Sequence, residues 1–327
     1  MSILDLVRTK TPTWTYAEIP ANQTKEGLAR DPIPANQFYI TVKLKSFRIP
    51  DLRDFSSSFY GTVHSNFQIL SQTGDMVTMQ SVTTPQQLVN ADPKHLERTI
   101  LQEIEVLGPV PFIGGKFSVC IDLFSVMEAD LAGPYLNLLG SIASKAGISV
   151  LSQGLQLAQP IIDGVNAIVD SKAGGLQIGI YKEFGDTDLQ QGYYAIVAAT
   201  EGTYVTSRLG IDNSYNLVDF TTKVKVDQAY LVFTVERSTS RTDWHQIPDV
   251  KDSYAQIVAA ERARDVTKIN DAFTAFKITV DTCPDLLSND QDAVINAVEA
   301  EVTKLLAVIN SGAQHKPLPA LADLNLF

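Results

Sequence analysis

FYITVKLK, residues 38–45, is the stretch from which we predict the fold. Its apolar side chains alternate with more polar ones, at Phe38, Ile40, Val42 and Leu44. Successive side chains of a β-strand point to opposite faces, so this alternation predicts a strand with one face on a hydrophobic core. The run FYGTVHSNFQIL, residues 59–70, repeats the same alternation.

Further strand-like runs follow, separated by short turns, at residues 116–126, 176–182, 193–199, 203–209, 215–226 and 229–235. Many short strands at near-regular spacing are typical of antiparallel sandwiches and barrels. The sequence therefore predicts a β-rich α+β fold in which an antiparallel β-sandwich spans residues 38–237. A helical hairpin, the insertion at 128–172, is predicted to interrupt the sandwich.

That insertion has an unusual composition, because Lys145 and Asp163 are the only charged side chains between residues 131 and 169. At helical period its apolar residues form a seam, with neutral polar side chains opposite, at Gln153, Gln156, Gln159 and Asn166. Such a face avoids burying unpaired charge, so we treat these residues as a candidate protein-interaction surface. Packing on the sandwich and insertion into a membrane are the alternatives. Glutamines and few basic residues disfavour membrane contact.

Past Pro248 the apolar residues recur at steps of three and four, which predicts an antiparallel helical hairpin over residues 248–311. Ser288 and Gln291 have the spacing of a capping box at the start of its second helix. Proline-rich residues 1–37 are predicted to form an extended arm, and residues 312–327 an extended tail. We expect Leu324 and Phe327 in this tail to dock in a groove, on the same molecule or on a neighbour.

Composition narrows the classes of function. The chain has 327 residues, of which 45% are hydrophobic and 19% charged, as in packed globular proteins. Its formal net charge of -11 disfavours a nucleic-acid partner, because such binding depends on basic residues. Cys120 and Cys283 are too few for a disulfide framework and read as reduced thiols. Residues 1–14 lack the apolar core of a signal peptide, so we expect a cytoplasmic protein.

Catalytic motifs are missing from the sequence. None of the four histidines has another ligand at metal-binding spacing, and no nucleophile elbow, phosphate-binding loop or HExxH helix occurs. His64 falls on the polar face of a predicted strand, where we expect it to contact solvent. His245 shares a loop with Asp243 and is the one histidine with a catalytic type of neighbour. We predict no catalytic residue, no cofactor and no metal site.

The function that best fits these observations is a non-enzymatic protein-interaction or assembly role, with a protein partner or a second copy of the chain. Two alternatives stay open. The first is a membrane-acting effector of the pore-forming or toxin-like kind that uses residues 131–169. The second is an unrecognised hydrolase that uses His245 with Asp243.

Overall fold

The structure is a computed structural model that describes residues 14–50, 53–54, 57–82, 100–127, 174–200, 202–314, 316–324 and 326. It confirms the predicted fold class: antiparallel strands form three sheets, and helices that pack as a hairpin follow them. The predicted insertion at 128–172 lies outside the described residues. Within the described part of the chain, no helix combines the length and the apolar character needed to cross a membrane.

Twelve strands are described. They are β1 (Thr15–Ile19), β2 (Tyr39–Arg48), β3 (Arg53–Asp54), β4 (Ser57–Leu70), β5 (Met76–Val82), β6 (Ile100–Pro111), β7 (Phe117–Met127), β8 (Gly174–Phe184), β9 (Gly192–Val197), β10 (Leu209–Ile211), β11 (Leu217–Asp219) and β12 (Tyr230–Ser238). The first sheet has the order β1-β9-β12-β2-β6. The second has the order β3-β4-β7-β8, with β5 paired to β4, and β10 with β11 forms a small third sheet.

The two large sheets share one hydrophobic core. The predicted inner face of β2 is buried there at Ile40, Val42 and Leu44, each at most 1% exposed. From the second sheet, Phe67 on β4 stacks on Phe117 on β7 with ring centroids 6.2 Å apart. The alternation of residues 38–45 therefore arises from burial of one strand face against the opposite sheet.

The N-terminal segment, predicted as an extended arm, adds an edge strand to the first sheet. Strand β1 pairs antiparallel with β9, and Glu26 in the loop after it reaches side chains on the outer face of the first sheet. There the Glu26 carboxylate accepts hydrogen bonds from the hydroxyls of Tyr193 and Tyr215, and Lys45 Nζ lies 3.4 Å away. Burial alone would raise the pKa of Glu26, but these donors outweigh it and lower that pKa below its usual range.

Two of the predicted strand runs are mostly turns in the structure. In residues 203–209, Thr206–Arg208 form one turn of 3-10 helix and Val205 is 57% exposed. The run at 215–226 contributes only the short strand β11. Their buried residues, such as Leu209 and Leu217, pack on the outer face of the first sheet and form a second cluster there. These two residues lie in the short strands β10 and β11, whose small sheet covers the outer face of the first sheet.

Three helices follow the sandwich where two were predicted: α1 (Pro248–Arg262), α2 (Val266–Asp281) and α3 (Ser288–Ser311). Proline at the first position of α1 suits a helix start, because that N–H has no intrahelical partner. The chain turns after α1, and the Asp265 side chain accepts from Lys268 N at 3.1 Å, which caps α2. Burial of Ile269 and Phe276 confirms the predicted seam of α2.

Candidate interaction surface

The C-terminal tail lies across the helices of its own molecule. We name residues 316–324 the strap. Leu321 is buried in the core of the helical bundle, and Leu318 and Leu324 pack against that core half-buried. Leu324, a predicted interaction residue, therefore docks in a groove of the same chain, while Phe327 lies outside the described residues.

Two side chains of α1 satisfy the backbone of the strap. Glu261, only 3% exposed, accepts from the Leu318 backbone N–H at 3.0 Å. The Tyr254 hydroxyl donates to the Pro319 carbonyl at 2.8 Å. Burial raises the pKa of Tyr254 to about 12, so this hydroxyl stays protonated at neutral pH. Residues 316–320 of the strap are extended, and Leu321–Asp323 form one turn of 3-10 helix, in which the Asp323 N–H donates to the Ala320 carbonyl at 2.8 Å. The predicted extended tail is therefore extended only in part. The contacts with Glu261 and Tyr254 satisfy backbone groups of the extended part, which has no neighbouring strand to bond to.

An open groove flanks the strap on each side. The groove between α1 and the strap, which we name the α1 groove, has a volume of about 720 Å³. The groove between α3 and the strap, the α3 groove, has a volume of about 950 Å³. Volumes of this size lie within the range of clefts that bind ligands. The strap is therefore one wall of two clefts whose other walls are helices.

A buried polar junction joins the bundle to the sandwich. The hydroxyl of Tyr39 on β2 donates to Asp290 Oδ2 at 2.8 Å and accepts from the Leu287 backbone N–H at 2.7 Å. Leu287 directly precedes α3, whose start is therefore held by Tyr39 and not by the predicted side-chain cap of Ser288. Burial raises the pKa of Asp290, against hydrogen bonds from the Arg241 backbone and from Tyr39 that lower it.

Arg241 completes this junction and also determines what Asp243 can do. Its side chain is fully buried and donates from Nε to Asp243 Oδ1 at 2.7 Å and from Nη2 to Asp243 Oδ2 at 3.2 Å. Both carboxylate oxygens of Asp243 are thus engaged by the guanidinium. His245 instead lines the α1 groove beside Trp244. The structure does not bring Asp243 and His245 into a hydrogen-bonded pair, so their catalytic use has no geometric support.

His64 departs most clearly from its predicted surroundings. It was expected to contact solvent but is 1% exposed, on the face of the second sheet that points away from the shared core. Its Nδ1 lies 3.2 Å from Asp122 Oδ2 and its Nε2 lies 3.0 Å from Gln80 Oε1. Burial raises the pKa of Asp122, and its contacts with His64 lower it. Cys120 Sγ lies 3.6 Å from Asp122 Oδ2, and it too is only 1% exposed.

The side chains of His64 and Asp122 line neither the α1 groove nor the α3 groove. In the described residues no group of three His, Cys, Asp or Glu side chains is arranged to hold a metal. Burial raises the pKa of the other thiol, Cys283, to about 12, which makes it unreactive at neutral pH. We read these groups as structural.

Four predicted interaction residues, Gln153, Gln156, Gln159 and Asn166, lie outside the described residues. The α1 groove was not predicted from the sequence, although Lys251, Ala255, Val258 and Arg262 have the spacing of one helix face. The junction was not predicted either, because its members are distant in sequence. No family model, curated protein or solved structure matches this chain, so its function has to be argued from these contacts.

Proposed function

We propose that this chain is a non-enzymatic interaction or assembly protein whose C-terminal bundle is a receptor for extended peptide segments. One observation carries the proposal: the strap, which is extended and proline-containing at residues 316–320 and forms one 3-10 turn at Leu321–Asp323, lies on the bundle as a bound peptide would. Its leucine side chains enter or pack against the core, its Leu318 N–H donates to Glu261, and its Pro319 carbonyl accepts from Tyr254. Helical grooves that take apolar side chains from an extended or helical segment are a recurrent mode of peptide recognition.

The strap is connected in a way that allows it to be exchanged. Gly312, with a φ of 72°, ends α3 in the left-handed conformation, and the described residues that follow are exposed until Leu318. This connection makes few contacts that would be lost if the strap left the groove. The same groove could then receive the strap of a second copy or a similar segment of a partner.

Peptide binding to a shortened chain tests the proposal. A variant that ends at Gly312 keeps all of α3 and leaves the bundle without its strap. We expect a fluorescein-labelled peptide of residues 316–324 to bind this variant saturably in an anisotropy titration. The full-length chain should bind it much more weakly, because its own strap competes intramolecularly.

Two controls make the titration decisive. The same peptide with Leu321→Asp should not bind, since a charge cannot enter the bundle core unpaired. Circular dichroism of the shortened variant must show native helix content before the titration is interpreted. A helical, shortened chain that fails to bind the peptide, or that binds the Leu321→Asp peptide equally well, would refute a receptor role for the bundle.

A further inference from the structure

We propose that the α1 groove binds an extended acidic peptide of a partner protein, beside the strap and with the strap in place. This inference rests on the proposed interaction role, for which it names the chemistry of the partner. It is drawn from the side chains that line the groove, their charges and their spacing.

The α1 wall of the groove is a regular helix face. Lys251, Ala255, Val258 and Arg262 follow one another at steps of four, three and four, so they lie along one side of α1. Ala255 and Val258 lie between the two basic residues, and Leu318 and Leu321 of the strap form the opposite wall. His245 and Gln246 also line the groove. The helical wall is therefore apolar at its centre and basic at both ends.

The charge of the groove is opposite to that of the protein. The chain carries a net charge of -11, yet no acidic side chain is found among the described residues that line the α1 groove. Lys251 and Arg262 are exposed, and neither forms an ion pair with a described carboxylate. Two basic side chains with no internal partner favour an occupant that brings its own negative charge.

The α3 groove provides a contrast within the same bundle. It contains Glu301 and Asp323 as well as Lys304 and Lys316, and Lys304 Nζ lies 2.6 Å from Glu301 Oε1. Its charges are balanced and partly paired inside the molecule. The α3 groove therefore has no preference of this kind for an anion, although both grooves share the strap as a wall.

The spacing of the basic residues indicates the shape of the occupant. Lys251 and Arg262 are eleven residues apart, which is about 16 Å along a helix. One carboxylate or one phosphate headgroup cannot reach both. An extended peptide advances about 3.3 Å per residue, so two acidic residues about five positions apart would match them. Apolar side chains between those two acids would face Ala255, Val258 and the strap leucines.

The test uses the full-length chain and a designed probe. The probe is a fluorescein-labelled peptide with two aspartates about five residues apart and alternating leucine and alanine between them. We expect saturable binding by anisotropy that weakens as salt is added. The double variant Lys251→Ala, Arg262→Ala should bind roughly tenfold more weakly, because each exposed pair contributes modestly. Both residues are exposed, so the fold should be unaffected.

Matched controls separate charge from apolar contact. The variant Lys304→Ala, Lys316→Ala removes the same net charge from the α3 groove and should change binding less than about twofold. A probe with asparagine in place of both aspartates should bind far more weakly than the acidic probe. Equal binding of the two probes, equal binding by the wild type and the Lys251→Ala, Arg262→Ala variant, or no saturable binding would each overturn the inference.

A vesicle experiment distinguishes a peptide partner from a lipid surface. Sedimentation with vesicles of phosphatidylglycerol tests an anionic lipid surface, and tighter binding to vesicles than to the acidic probe would overturn the choice of a peptide. Failure of this inference is distinguishable from failure of the proposed function. The strap-peptide titration with the chain that ends at Gly312 does not depend on Lys251 or Arg262, and it can succeed when the acidic probe fails.

Discussion

Tyr39→Phe is the substitution that tests most directly how the bundle is attached to the sandwich. It removes one hydroxyl and keeps the ring, which is buried between the two parts. The lost hydroxyl donates to Asp290 at 2.8 Å and accepts from the Leu287 N–H at 2.7 Å. Because both partners are buried, neither can recover its hydrogen bond from bulk water.

The expected cost follows from these two contacts. A hydrogen bond to a charged group contributes about 1.5–3 kcal/mol, and a buried N–H left without a partner costs about 1–3 kcal/mol. Asp290 still accepts from the Arg241 N–H at 2.8 Å, so the two losses do not add fully. We expect the free energy of unfolding to fall by about 3 kcal/mol.

Urea denaturation followed by circular dichroism and tryptophan fluorescence measures this cost. The two tryptophans report on different parts, since Trp14 packs on the sandwich core and Trp244 is buried in the bundle. Tyr204→Phe is the matched control, because the Tyr204 hydroxyl donates to Gln228 at a half-buried position. We expect Tyr204→Phe to lower the free energy of unfolding by less than about 1 kcal/mol. If the free energy of unfolding of Tyr39→Phe lies within about 0.5 kcal/mol of the wild-type value, the junction is not a stabilising contact.

The stability lost in Tyr39→Phe should also depend on pH. Burial raises the pKa of Asp290 and the Tyr39 hydroxyl lowers it, so Tyr39→Phe should raise this pKa further. The hydroxyl stabilises the charged carboxylate, and that advantage is lost as pH falls and Asp290 becomes protonated in the folded state. The stability difference between wild type and variant should therefore narrow toward acidic pH. A difference that stays constant or widens on acidification would contradict this reasoning.

Phe276→Ala should cost about 3–5 kcal/mol in urea denaturation because the ring is fully buried in the bundle, whereas Ile278→Ala, at a 60% exposed position, should change stability little. Glu26→Gln should lower the urea midpoint at neutral pH, and the difference should vanish as pH falls through the lowered pKa of Glu26; a difference independent of pH would contradict its assignment. Gln153→Glu with Gln156→Lys should reduce the mass measured by light scattering at an unchanged melting temperature if this face contacts another protein. A lower melting temperature at unchanged mass would place that face inside the subunit instead.

The sequence predicted strands where burial is regular and local. In β2 every second side chain enters the core, and the alternation of residues 38–45 reports this directly. In β4 the same rule placed His64 correctly on the opposite face but wrongly in solvent. Its partners Asp122 and Gln80 lie on other strands, 58 and 16 residues away, so no local pattern could show that this polar face is buried.

In the helical region, too, local patterns did not show contacts between residues that are distant in sequence. Periodicity identified the seams of α2 and α3, because a buried stripe repeats within each helix. It missed α1 as a separate helix and assigned the start of α3 to Ser288. The residue that holds this start, Tyr39, is 248 positions from Leu287. Docking of the tail was predictable from its leucines, but the choice of its own bundle as the receptor depends on Glu261 and Tyr254.

Helix α3 runs from the junction to the strap without interruption. Its 24 residues span about 36 Å, with Asp290 bonded to the sandwich near one end and Gly312 leading to the strap at the other. A continuous helix resists bending, so α3 keeps these two ends apart. At the sandwich end Asp290 is held by the Tyr39 hydroxyl of β2, an inner strand of the first sheet, and by the Arg241 backbone N–H. The connection to the strap and the contact with the sandwich therefore lie at opposite ends of one rigid helix, and loss of the strap removes none of the hydrogen bonds at the junction.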